Sequence, residues 1–215
     1  MTDASVIESA NMQPDRKSET RACLAQAAVK VFETRGFHAA RVSDIAEAAG
    51  YAKGTFYLYF QNKESVFHYL IDGFFDRLLT GTLARFPAGA VADRDELTAQ
   101  LGEMWGEILA FCRANPALTT LVLRDSSAIG PDARDRVEVH FATVAGAIGG
   151  YFADLAARGL VRDGIGAATG WAVLGMIERA IHYALTVAPD APANVLAVEF
   201  LALELSGLGL GPPGA

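Results

Sequence analysis

The apolar residues of this 215-residue chain recur at helical spacing, and no stretch sustains the alternation of a half-buried strand. Leu24, Ala27, Ala28, Val31 and Phe32 fall at i, i+3, i+4, i+7 and i+8, one stripe of an amphipathic helix beginning near Ser18. Gly36 stands where a left-handed C-cap would end that helix. Two short helices follow over 42–49 and 53–60, and Asn62 is placed to cap a fourth beginning at Lys63. Further on, periodicity and Gly or Pro punctuation predict helices over 95–114, 116–123, 132–158, 165–187 and 193–206. The expectation is an all-α fold of about nine helices.

Several classes are excluded early. The longest uncharged runs found in the C-terminal half, Phe141–Ala153 and Gly164–Ile177, fall short of the 18 or so residues of a spanning helix. The first 22 residues have no apolar core of a signal peptide, which fits a cytoplasmic protein without a membrane partner. Cys23 and Cys112 are far apart and read as two buried thiols rather than a disulfide or a metal knuckle. No Walker loop, nucleophile elbow, zinc-protease or dinucleotide-binding pattern is found, so no catalytic residue, metal site or cofactor is assigned.

The charge is unevenly placed. The net charge of −7 argues against a uniformly basic nucleic-acid binder. Yet residues 1–70 balance 8 basic against 8 acidic residues and contain every lysine (Lys17, Lys30, Lys53, Lys63), whereas 71–215 hold 10 arginines against 17 acids. A neutral N-terminal segment joined to an acidic remainder suggests two units with different partners.

Residues 42–60, VSDIAEAAGYAKGTFYLYF, have helix-turn-helix spacing. Ala46 is small where the helices must nearly touch, Gly50 can take the positive φ of the turn, and Phe56 returns an apolar side chain to the core. The second short helix keeps a polar face (Lys53, Thr55, Tyr57, Tyr59) not needed for packing, and a slim polar helix fits a B-DNA major groove.

The run GFHAARVSDIAEAAGYAKGTFYLYFQNKESVF, with Arg21 and Phe32 before it, resembles the DNA-binding domain of the TetR/AcrR family of bacterial transcriptional regulators, over about 60 of the 215 residues. The resemblance implies an N-terminal three-helix DNA-binding domain followed by a larger helical ligand-binding and dimerisation domain. On this reading 1–17 are a disordered arm, 18–78 the DNA-binding domain (helix-turn-helix at 41–60), 79–208 the effector and dimerisation domain, and 209–215 a loose tail. Arg41, Ser43, Tyr51, Lys53, Gly54, Thr55, Tyr57, Tyr59 and Lys63 are the implied DNA contacts. The competing role for the Tyr57 and Tyr59 rings is packing, and for Lys53 and Lys63 plain solvation. Two residues depart from the family pattern: Arg41 and Ala52 stand where it commonly has Ser or Thr, a loss expected to cost each helix about 0.5–2 kcal/mol of capping.

The resemblance further implies a homodimer through the helices at 165–187 and 193–206, a double-stranded operator as partner, and a small-molecule effector of undetermined identity. The first of these helices is dense in small residues (Gly166, Ala167, Ala168, Gly170, Ala172, Gly175), which suggests close helix approach. Candidate effector contacts among the middle helices are Trp105, Phe111, Arg124, His140, Tyr151, Trp171, Glu178 and His182. Glu178 and His182 share a helix face at i, i+4, but without a third ligand they read as a polar pair. The leading expectation is a repressor released by an apolar effector. An activator, a regulator without a ligand and an all-α enzyme are the alternatives, the last without a catalytic constellation to support it.

Overall fold

The computed structural model describes residues 16–209, and the arm at 1–15 and the tail beyond 209 lie outside them. Nine helices occur among the described residues: α1 (Arg16–Arg35), α2 (Val42–Ala48), α3 (Lys53–Tyr57), α4 (Lys63–Gly81), α5 (Arg94–Ala114), α6 (116–129), α7 (Pro131–Ala157), α8 (167–187) and α9 (Ala193–Gly207). Two of them contain a π turn: α6 passes through Leu121–Asp125, and α8 ends in Tyr183–Val187. The chain is all-α, as its periodicity predicts. α6 runs six residues past Leu123, because nothing between Leu123 and Gly130–Pro131 breaks it. α3 stops at Tyr57, three residues before the expected end. No helix among the described residues is long and apolar enough to cross a membrane.

The chain divides into two compact units after Lys63. In the first, Leu24, Ala28, Val31 and Phe32 of α1 are buried, as are Ile45 and Ala46 of α2 and Phe56 of α3. Gly36 (φ 75°) closes α1 by donating its N–H to the Phe32 carbonyl at 2.8 Å. Gly50 (φ 76°) makes the turn after α2, where the Tyr51 N–H reaches back to the Ala46 carbonyl at 2.9 Å, the six-to-one bond of a Schellman cap. A β-carbon would be strained at either glycine.

In the second unit α5, α7, α8 and α9 surround an apolar interior built on Leu97, Leu101, Ile148, Phe152 and Leu174. At Gly170 a β-carbon would stand 2.0 Å from the Ala145 carbonyl oxygen, so backbone meets backbone where α8 crosses α7. The close approach read from the small residues of α8 is therefore made at Gly170, within the chain. Gly166, Ala167, Ala168, Ala172 and Gly175 are exposed. Arg113 of α5 donates to the carbonyls of Ala188 (3.2 Å) and Ala191 (2.6 Å), fixing the chain as it leaves α8.

Candidate nucleic-acid interface and effector cavity

Only Phe56 of α3 is buried, so the rest of this short helix is available to a partner. Lys53 and Gly54 are exposed, Tyr57 is 51% exposed, and Tyr51 in the turn is 37% exposed. Arg41 and Ser43 are exposed at the start of α2, while Thr55 and Tyr59 are half-buried. The Tyr57 ring meets Phe56 edge-on at 5.5 Å. Leu58, 75% exposed directly after α3, adds an apolar side chain beside these polar groups.

Arg41 leaves α2 without a side-chain acceptor for its first N–H groups, and only the reciprocal half of a capping box is present. The Asp44 carboxylate, three residues on, accepts the Arg41 N–H at 3.1 Å and pairs with Arg35 at 2.9 Å. An acid in the first turn also suits the helix dipole. The expected loss of a side-chain N-cap bond is therefore present at α2, with Asp44 serving only the Arg41 N–H. At α3, Ala52 makes no side-chain cap bond.

Lys63 has a partner set the sequence did not reveal. Its ammonium donates to the carbonyls of Phe37 (2.7 Å), His38 (3.0 Å) and Ala40 (3.2 Å) and lies 4.6 Å from the centre of the Phe37 ring. All three N–H donors go to the loop after α1, so Lys63 ties the start of α4 to that loop.

The second unit contains a partly open cavity whose wall is mostly aliphatic and aromatic, from α4, α5, α6, α7, α8 and α9. Of the eight candidate effector contacts, Trp105, Tyr151 and Glu178 line it. Arg124 and His182 line a smaller recess that shares Leu123, Glu178 and Ile181 with it. Phe111 packs on Phe74 at 5.5 Å, Trp171 is 48% exposed, and His140 stacks on Phe75 at 4.7 Å, behind the wall that Phe75 helps to form. No group of three or more potential metal ligands gathers among the described residues, and Glu178 pairs with Arg179 at 3.0 Å.

Glu204 is an ionisable cavity residue that sequence reasoning missed, and Thr82 is a second polar one. Glu204 lies 7% exposed, accepts the Trp105 indole N–H at 2.6 Å, and is pushed above the ordinary carboxylate range by burial, which outweighs the Trp105 bond. Its signal was its register: Glu204 shares a helix face with Leu201 and Leu208 and so falls on the buried stripe. Tyr151 accepts from Gln100 at 2.8 Å, and burial together with the Glu204 charge raises its phenol.

Asp72 of α4 meets α7 through Arg136, whose Nε lies 2.8 Å from Oδ1, and through His140 at 2.8 Å. Burial alone would raise the Asp72 carboxyl, but the bonds from Arg136 and His140 prevail and hold it below the usual range.

Residues 24–70 match the model of the family described as bacterial regulatory proteins, tetR family. Over 60 residues, 28% of this chain and 31% of its relative, the sequence is 48% identical to the uncharacterized HTH-type transcriptional regulator YdgC of Bacillus subtilis. The matches to curated relatives span between 21% and 40% of those proteins' lengths. The fold is shared more widely. The fatty acid degradation regulator FadR of Bacillus halodurans superposes with a TM-score of 0.76 at 20% identity, over 90% of this chain and 98% of that one. FadR of Bacillus subtilis in complex with stearoyl-CoA does so at 0.70 and 20% identity, over 86% and 98%.

Proposed function

We propose that this chain is a regulator of the TetR family, whose model its residues 24–70 match, and that it is a homodimeric repressor that binds a palindromic operator and is released by an apolar effector. The observation that carries the reading is the exposed face of Arg41, Ser43, Tyr51, Lys53, Gly54 and Tyr57 around a helix anchored by Phe56 alone. Lys53, Gly54 and Thr55 are assigned to base edges or adjacent phosphates, and Arg41, Tyr51 and Tyr57 to the backbone, with Tyr59 beside them. Lys63 serves this face by holding its loop, and its charge adds to the local field.

A second copy is the proposed partner of the outer faces of α8 and α9, where Trp171, Val195, Val198 and Leu203 are 47–66% exposed. A two-fold dimer presents two reading helices to two half-sites, hence the palindrome. Effectors carrying an acyl chain are the first to screen, because the wall is apolar and a relative of the same fold is described with stearoyl-CoA. α4 is the mechanical link. Lys63 pins its start, Asp72 joins it to α7, and Phe75, Leu78, Leu79 and Thr82 face the cavity. An effector that prefers another setting of α4 shifts the population away from the DNA-binding state.

The test is selection of duplexes from a random pool at fixed low salt, then titration of the winner with salt. Arg41 and Lys53 from two copies neutralise four phosphates, so the slope of log K against log salt is about −4; adding both copies of Lys63 takes it near −5. No enriched duplex, or a slope near zero, overturns the reading.

A further inference from the structure

Among the described residues that line the apolar cavity none is Lys, Arg or His, and its two acidic residues are not equivalent. Glu178 is half-buried and has Arg179 as its counter-ion. Glu204 is buried, with its Oε2 taken by the Trp105 N–H and no cation within ion-pair distance among the described residues. The Tyr151 hydroxyl, near enough to feel the Glu204 charge, accepts from Gln100 and keeps a proton to donate. The mostly apolar wall thus carries Glu204 with Trp105 and Tyr151, apart from Glu178 and Thr82, whose partners are Arg179 and the Leu78 carbonyl.

We propose that Glu204, with Trp105 and Tyr151, selects an effector whose buried part is an apolar chain bearing a neutral oxygen group (hydroxyl, ester or thioester) and rejects the corresponding free carboxylate. The proposal rests on the reading of this cavity as the effector site. A neutral oxygen can exchange hydrogen bonds with the Glu204 carboxyl and the Tyr151 hydroxyl and leave nothing unpaired. A carboxylate would shed its water among aliphatic side chains, beside a second carboxyl, with no cation to receive it. The cavity therefore separates ligands of equal chain length by the charge at their end.

Titration of the full chain at neutral pH with 1-decanol and with decanoate, read by calorimetry, tests this. Decanol is expected to bind at least about tenfold more tightly than decanoate. In Glu204→Gln, checked for folding by circular dichroism, the ratio should shrink to about threefold or less, chiefly because decanoate improves. Decanoate binding as well as decanol to the unmodified protein refutes the selection, as does an unchanged ratio in folded E204Q. If that variant does not fold, the ratio in the unmodified protein decides the matter. Failure of both probes to bind the unmodified protein refutes the effector-cavity reading itself and this proposal with it.

Discussion

Replacing Gly170 by Ala sets two effects of one methyl group against each other. In an unobstructed helix the change stabilises by about 1 kcal/mol, because Ala has the higher helix propensity. Here the new carbon would stand 2.0 Å from the Ala145 oxygen, 2.9 Å from the Ala145 carbonyl carbon and 3.0 Å from the Gly149 nitrogen. All three are backbone atoms of α7, so no side chain can turn aside. Restoring ordinary contact, about 3.3 Å or more for carbon and oxygen, requires α7 and α8 to part by roughly 1 Å. A gap of that size forfeits a quarter to a half of the dispersion energy along the seam, and overpacking typically costs about 1–3 kcal/mol. The upper part of that range applies, and the propensity gain offsets only part of it. A net loss of about 2 kcal/mol lowers Tm by roughly 4–8 °C in a chain of this size. Gly146→Ala is the matched control: it lies in α7, is exposed, and its β-carbon would meet nothing within 4 Å. It should raise Tm by about 2 °C. Melting both variants at one protomer concentration keeps the proposed dimerisation from confusing the comparison. A Gly170→Ala protein as stable as the parent would refute the assigned backbone contact.

Lys63→Met should destabilise the protein by about 2 kcal/mol in urea titration, because three loop carbonyls lose a charged donor. Unchanged stability with weakened DNA binding would instead make Lys63 a phosphate contact first. The depressed Asp72 carboxyl stabilises the fold above the ordinary carboxylate pKa, and that stability is lost as pH falls through its lowered value. Since Asp72 is 36% exposed, the effect stays below about 1 kcal/mol, and Asp72→Asn should flatten the acid limb of a Tm-against-pH curve by no more than that. Burial pushes the Cys112 thiol up to about 12, so at pH near 8 a thiol reagent should label it only as fast as the protein opens, and half-buried Cys23 sooner. Prompt native-state labelling of both thiols would contradict that burial.

The features read correctly from sequence share a short range. Gly36 and Gly50 announce their turns because a positive φ is a local requirement, and the stripe from Leu24 to Phe32 locates the α1 face because its period is local. What escaped depends on distant chain segments. Nothing near Lys63 says that carbonyls more than twenty residues earlier will claim its ammonium. Asp44, read as part of α2, proves also to accept the Arg41 N–H and to pair with Arg35 of α1. Gly170 was legible as a site of close approach, but whether α7 or a second copy approached was not. Trp105, Tyr151 and Glu178 were found as cavity residues, while the choice of an aromatic for its size also drew in Phe111 and Trp171, which lie elsewhere.

The proposed release mechanism carries a thermodynamic obligation that binds its two halves. If an effector lowers operator affinity a hundredfold, operator must lower effector affinity by the same factor, a coupling of about 2.7 kcal/mol. That energy has to reside in something both ligands act upon. α4 qualifies by its attachments: its first residue is held by the loop beside α2, its middle by Arg136 and His140, and its C-terminal half forms cavity wall. Phe75 is the nearest of these to the clasp, since one ring both lines the cavity and stacks on the imidazole that grips Asp72. An occupant that displaces Phe75 must disturb that stack. The exposed clasp is worth too little to supply the whole coupling. Most of it must come from repacking Leu78, Leu79 and Phe75 around the ligand, where buried area and close contact are largest.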